Sequence, residues 1–196
     1  MGRGDLTRER ILTAATLLAS RVGFDGLTIG ALAEELSMSK SGLFAHFGSK
    51  EALQLQVLES EIARFEREVF HPAIRQPRGI PRLEALFEGW LAWNAHSPSR
   101  GGCLIVTASV EFDDQPGPLL DAVKEAQTLL LTSIARAVKI AIDVGHLRPD
   151  VDPDQMAFDL YGIVLGHHFV RRVRNDPKAD ARARAAFQNL IAAARA

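Results

Sequence analysis

Apolar residues return every three or four positions along almost the whole chain, and glycine, proline and capping residues cut these runs into segments. Strict apolar–polar alternation is nearly absent, so the pattern predicts an all-α fold of about nine helices. The first spans residues 7–22, with Thr7 as its cap, Ile11, Ala15, Leu18 and Val22 inward, and Gly23 as a left-handed stop. A short helix over 28–36 is capped by Thr28 and turns Ile29, Leu32, Ala33 and Leu36 inward. Ser37 and Met38 make a turn, and Ser39 caps a helix over 39–47 that ends at Gly48. Ser49 caps a long helix over 50–70 with the stripe Leu55, Leu58, Ile62, Phe65 and Val69. Pro72, Pro77, Gly79 and Pro81 make 71–81 a loop. Further helices are predicted over 81–96, 103–112 (after Gly101 and Gly102), 118–144, 153–174 and 177–195. The last two open on Asp152-Pro153 and Asp176-Pro177, each an N-cap followed by proline.

Composition narrows the function classes. With 47% hydrophobic residues in 196, the chain has a core and is not disordered. Its 23 basic and 24 acidic residues carry no overall nucleic-acid signal, so such a claim must rest on particular positions. Cys103 is the single cysteine, which excludes an internal disulfide or a cysteine-built metal site and fits a reducing cytoplasm. No segment reads as a signal peptide or membrane span, and no metal or cofactor is expected. Nucleophile elbows, phosphate loops and zinc-protease motifs are missing, so the chain is read as no enzyme.

Residues 28–47 read as helix, tight turn, helix. In that arrangement the N-terminal end of the second helix enters the major groove. Here that end is Ser39, Lys40, Ser41 and Gly42, small or flexible polar residues that let the backbone approach base edges. Thr28, His46 and Lys50 suit phosphates, two of them beside helix N-termini whose free N–H groups attract anions. Leu43 and Phe47 are spaced to face inward. The spacing alone also fits a plain capped corner that never touches DNA.

The stretch from Thr28 to Leu53, TIGALAEELSMSKSGLFAHFGSKEAL, resembles the N-terminal domain of TetR-family regulators. The first helix, with its Arg10–Ala15 run, and Gly23-Phe24 precede it at the matching places, so the likeness covers about 7–55. It implies a homodimer, a palindromic double-stranded DNA operator and usually repression. By position, Ser39, Lys40, Ser41 and Gly42 would face bases and Thr28, His46 and Lys50 phosphates. Two residues depart from the family pattern. Ser37 stands where glycine is usual and must accept a strained turn. Phe44 replaces a tyrosine whose hydroxyl binds phosphate, so it is expected to stack against the DNA backbone.

The first 50 residues are therefore read as the DNA-binding domain and 51–196 as an effector-binding and dimerisation domain. In the latter, aromatic residues from several helices (Phe65, Phe87, Trp90, Trp93, Phe112 and Tyr161) suggest a site for a small apolar or aromatic ligand. Asn94, Thr107 and Gln127 interrupt apolar faces and would serve as polar anchors, with Cys103 and His167 beside them. Any one of these residues also fits plain packing. His167 and His168 diverge by about 100° on a helix, which argues against a shared metal and puts His168 toward the surface or a partner. The helix over 153–174 is apolar almost all round and needs cover on more than one side. Phe158, Gly162, Leu165, Gly166 and Phe169, with Phe187, Leu190 and Ile191 of the last helix, are expected to meet their copies in a four-helix bundle. The function expected is a regulator released from its operator by the ligand. The alternative is a ligand-independent helical DNA-binding or scaffold protein with no effector.

Overall fold

The computed structural model describes residues 3–96 and 103–196, without the side chains of 3–7 and 96. The first helix begins at Arg3, so residue 7 lies inside it and does not cap it as expected, while the Gly101-Gly102 break lies outside the described residues. The order is α1 (Arg3–Gly26), α2 (Ile29–Leu36), α3 (Lys40–Phe47), α4 (Lys50–Phe65), a π-helical turn (Glu66–Phe70), α5 (His71–Ile74), α6 (Ile80–His96), α7 (Leu104–Glu111), α8 (Pro118–Asp143), α9 (Pro153–Arg174) and α10 (Ala179–Ala194). Among the described residues there is no strand, only an isolated antiparallel bridge between Leu147 and Arg195. With α4, the π turn and α5 taken as one unbroken run, the all-α reading of nine rods holds.

The fourth rod runs past Pro72, which was expected to end it. Proline cannot donate to the carbonyl four residues back and its ring clashes there. The π turn widens the spiral just before it, where the His71 N–H reaches the Glu66 carbonyl five residues back. Asp152 caps α9 as expected, accepting from the N–H groups of Asp154 and Gln155. Asp176 instead closes a turn onto the Lys178 N–H, and α10 starts two residues later than predicted, at Ala179.

The chain folds as two compact units, the described parts of 1–64 with 97–125 and of 65–96 with 126–196. The boundary drawn after residue 50 falls inside the first unit, because α7 and the start of α8 complete its core. That core joins Ile11, Ala15 and Leu18 of α1, Leu32 of α2, Leu43 and Phe47 of α3, Leu53 and Leu58 of α4, and Leu104 and Ala108 of α7. Phe24 and Phe112 meet edge to face at 5.8 Å inside it. Each such large side chain contributes about 1.5–3 kcal/mol on burial. Val22 is half exposed rather than inward; Gly23 (φ 75°) turns the chain so that Phe24 takes the core position. A side chain at Gly23 would meet the Glu111 carboxylate at 2.3 Å. That carboxylate accepts from the Asp25 N–H at 3.0 Å and so closes the end of α1 from 86 residues away.

In the second unit Phe87 stacks on Phe187, with rings parallel to 5° and centroids 4.2 Å apart. Glu88 takes Arg184 through two bonds of 2.9 Å. The inward stripe of α9 is Met156, Ala157, Leu160, Val164, His167 and His168. His168 is thus buried, not superficial as expected, because an apolar stripe at least 100° wide accommodates two adjacent positions. Burial above all, and then the charges of Arg172 and His167, push the His168 pKa down from 6.5 to about 4. Its neutral form is the one folded in, so this stabilisation is full above pH 6.5 and is lost as pH falls toward 4. Thermal denaturation across that window should show wild-type stability falling more steeply than that of His168→Asn. Parallel slopes would remove His168 as the cause.

Candidate nucleic-acid interface and effector site

The turn between α2 and α3 aims the recognition element. Ser37 adopts the left-handed conformation (φ 52°, ψ 40°) that the family pattern assigns to glycine. Its N–H caps α2 on the carbonyls of Ala33 and Glu34, and the Met38 N–H returns to Ala33 at 3.0 Å. Ser39 then caps α3, its hydroxyl oxygen accepting from the Gly42 N–H at 3.1 Å. A Cβ at Gly42 would press on that oxygen at 3.0 Å, so Gly42 protects the cap as well as keeping the backbone bare.

Leu43 and Phe47 pin one face of α3 into the core. Turning about 100° per residue from them places Ser41 and Ala45 on the opposite, outermost line. Ser39, Lys40, Ser41, Phe44 and Ala45 are all exposed. Ala45 was missed because alanine carries no chemistry by itself, yet the same helical rotation would have found it. Lys40 lies over Gly30, whose Cβ would come within 3.5 Å of its ammonium. Thr28 caps α2 by accepting from the Ala31 N–H at 3.0 Å, which leaves its hydroxyl hydrogen to donate. His46 is half exposed and tilted against Phe47. Lys50 is held by Asp25, at 2.9 Å to the carbonyl and 3.2 Å to the carboxylate, so a phosphate there would share this cation. Of the residues assigned to DNA, Lys40 and Thr28 come together around Gly30 at the N-terminal end of α3, whereas Lys50 lies beyond its C-terminal end.

The expected effector residues divide between the units. In the second, Phe65 meets Phe70, Trp90 and Trp93 edge to face, and Trp90 leans on Tyr161. The Asn94 amide lies 3.4 Å from His167 Nδ1, and His167 Nε2 lies 2.9 Å from the Asp180 carboxylate. Arg171 also donates to that carboxylate at 2.8 Å. Hydrogen bonding from His167, and then from Arg171, holds the Asp180 carboxyl below its usual range. Asn94 Oδ1 is buried without a hydrogen-bond partner among the described residues. Phe87 is committed to its stack with Phe187, and Gln127 is half buried on α8. Cys103, Thr107 and Phe112 belong to the first unit. There Phe112 packs in the core and the Thr107 hydroxyl donates to the Cys103 carbonyl.

Of the residues expected at a dimer contact, Phe158, Gly162, Gly166 and Phe169 form an exposed line on α9, and Val173 extends it. Leu165 and Leu190 are half buried. Phe187 and Ile191 are instead inside the second unit's own core, which leaves them no surface to offer a second copy. Stacking on Phe87 accounts for Phe187.

A short helix whose capped, polar N-terminal end is exposed behind a tight turn is the geometry of the helix-turn-helix, the reading unit of a class of DNA-binding regulators. Residues 11–57 match the family model of bacterial regulatory proteins of the tetR family, and 79–187 match the tetracyclin repressor-like C-terminal domain. The second match alone spans more than half of the chain, and the chain belongs to the TetR family of DNA-binding transcription regulators. The HTH-type transcriptional regulator UidR of Escherichia coli (strain K12) is 27% identical over 167 residues, 81% of this chain and 80% of that one. A TetR transcriptional regulator from Chloroflexus aurantiacus J-10-FL shares the fold with a TM-score of 0.87 at 23% identity, covering 98% of this chain and 96% of that one. AibR, solved in complex with isovaleryl coenzyme A and operator DNA, has a TM-score of 0.70 at 23% identity over 82% of this chain and 85% of its own. These relatives are regulators rather than enzymes, and among the described residues no helix is long and apolar enough to cross a membrane.

Two outcomes follow from this geometry. Lys40→Ala should weaken binding to a duplex selected by the wild-type chain about tenfold and lower the log K–log salt slope by about one per protomer. Unchanged affinity and an unchanged slope in a fluorescence-anisotropy salt titration would remove Lys40 from the interface. Ser37→Gly should raise stability by about 0.5–1 kcal/mol, since glycine accepts the left-handed turn without steric cost. An unmoved urea midpoint would mean that the turn carries no strain.

Proposed function

We propose that the chain is a homodimeric repressor that holds a palindromic operator and is released by a small apolar or aromatic effector. In this reading residues 1–50 contact DNA, and 51–196 bind the effector and dimerise, in the cytoplasm where the operator lies. The observation that carries the effector half is Asn94 Oδ1, a buried acceptor left unsatisfied one turn from Trp90 on α6. A buried polar atom of this kind costs about 1–3 kcal/mol until a donor reaches it. Asp180 favours the His167 tautomer with hydrogen on Nε2, so Nδ1 accepts from the Asn94 amide and Oδ1 faces the other way. The effector is then apolar or aromatic with one hydroxyl or N–H for Asn94.

Dimerisation rests on the exposed line of α9. Phe158 is 64% and Phe169 46% exposed, and Gly162 and Gly166 between them have open space where a Cβ would stand. Large apolar side chains bare on one helix face are what a self-complementary contact covers. Two recognition helices then read major grooves about 34–36 Å apart. An effector that binds only one arrangement of the dimer shifts operator affinity by no more than its preference for that arrangement.

Phe158→Glu should leave helicity unchanged, convert the dimer to monomer in sedimentation velocity, and lower operator affinity more than tenfold. A variant that stays dimeric would reject this face. A panel of aromatic and alicyclic alcohols, tested for release of the selected duplex, should contain at least one active compound. Asn94→Ala should lower its potency about tenfold without changing DNA affinity in its absence. A panel with no active compound would favour the ligand-independent alternative.

A further inference from the structure

Phe44 is the exposed aromatic ring of the first unit among the described residues, at 57% exposure. It sits one turn beyond Lys40 on the same side of α3, beside the outermost line formed by Ser41 and Ala45. The reading face is thus polar at its N-terminal end and apolar in its second half. A phenyl ring has no hydroxyl to offer a phosphate oxygen. Among the base edges of the major groove, the one apolar group is the thymine C5-methyl, and alanine and phenylalanine are side chains that meet it. Ala45, small and outermost, lets α3 come close enough for the neighbouring ring to reach that edge.

We propose that Phe44 is a specificity residue that reads a thymine methyl in each operator half-site. The proposal rests on α3 being the DNA-reading helix. Four residues of helix advance about 6 Å, close to two base-pair rises of about 3.4 Å. The thymine therefore lies about two base pairs along the groove from the position read by Lys40. The contact discriminates by the methyl alone, because the ring forms no hydrogen bond with the base.

The test uses the full chain and a duplex that it selects from a random library. Each thymine is replaced in turn by deoxyuridine, which removes the methyl and keeps the base pairing. At one position per half-site the replacement should weaken wild-type binding about fourfold, and about fifteenfold when both half-sites carry it, the value of one buried methyl each. Phe44→Ala, a surface change checked by circular dichroism, should bind the thymine and deoxyuridine duplexes equally. Lys40→Ala should keep the methyl sensitivity and relax preference about two base pairs away. A wild-type chain indifferent to every replacement would overturn the proposal, as would a Phe44→Ala variant that keeps the sensitivity. Uniform weakening of Phe44→Ala on all duplexes, with the methyl effect retained, would return Phe44 to stacking on the backbone. Selection of no duplex at all would sink the DNA-reading role of α3, and this inference with it.

Discussion

The burial of Leu43 and Phe47 decides what α3 can present. Both side chains lie in the first unit's core, with residues of α1, α2, α4 and α7 around them. An eight-residue helix has little stability alone, so its orientation comes from this packing rather than from its own hydrogen bonds. Once those two positions point inward, rotation by about 100° per residue leaves Ser41 and Ala45 outermost and Lys40 and Phe44 on one flank. The polar tip and the apolar half of the reading face both follow from two hydrophobic contacts on the far side.

Buried polar groups do a second kind of work. In the first unit the buried Gln54 amide donates to the Phe24 carbonyl, which also accepts from the Leu27 N–H at 3.0 Å. Glu61 is buried and takes Arg64 through two bonds. Removing Arg64 would take two hydrogen bonds from the buried Glu61 carboxylate, so such groups specify one arrangement more than they add net stability. In the second unit Asp180, His167 and Asn94 form a chain of hydrogen bonds whose last oxygen is open. The proposed effector is what would close that chain.

Much of this was legible. The caps Thr28, Ser39, Ser49 and Asp152 work as their residue types require, each accepting a backbone N–H of its own helix. The four helix rods around the turn were readable because period and caps are local signals. Pro72 misled because a π turn absorbs it, a device with no marker in residue type. Asp176-Pro177 looked like Asp152-Pro153 but builds a turn, since a cap motif fixes a local bond and not where the helix starts. The split of the aromatic residues was not legible either: Phe65, Trp90 and Phe112 all read as aromatic at helical spacing, and nothing local says that Phe112 would meet Phe24.

The sequence by itself determined that the chain is helical, the caps Thr28, Ser39, Ser49 and Asp152, the tight turn at Ser37 and the polar tip of α3, because each depends on residues within about one turn of one another. Only the tertiary structure decided which apolar faces found cover. It set Glu111 on the Asp25 N–H, Phe187 on Phe87, and His168 inside, while Phe44 and Phe158 stayed bare. Those outcomes join residues far apart in the chain, and a periodic pattern states that a face is apolar without stating what will cover it.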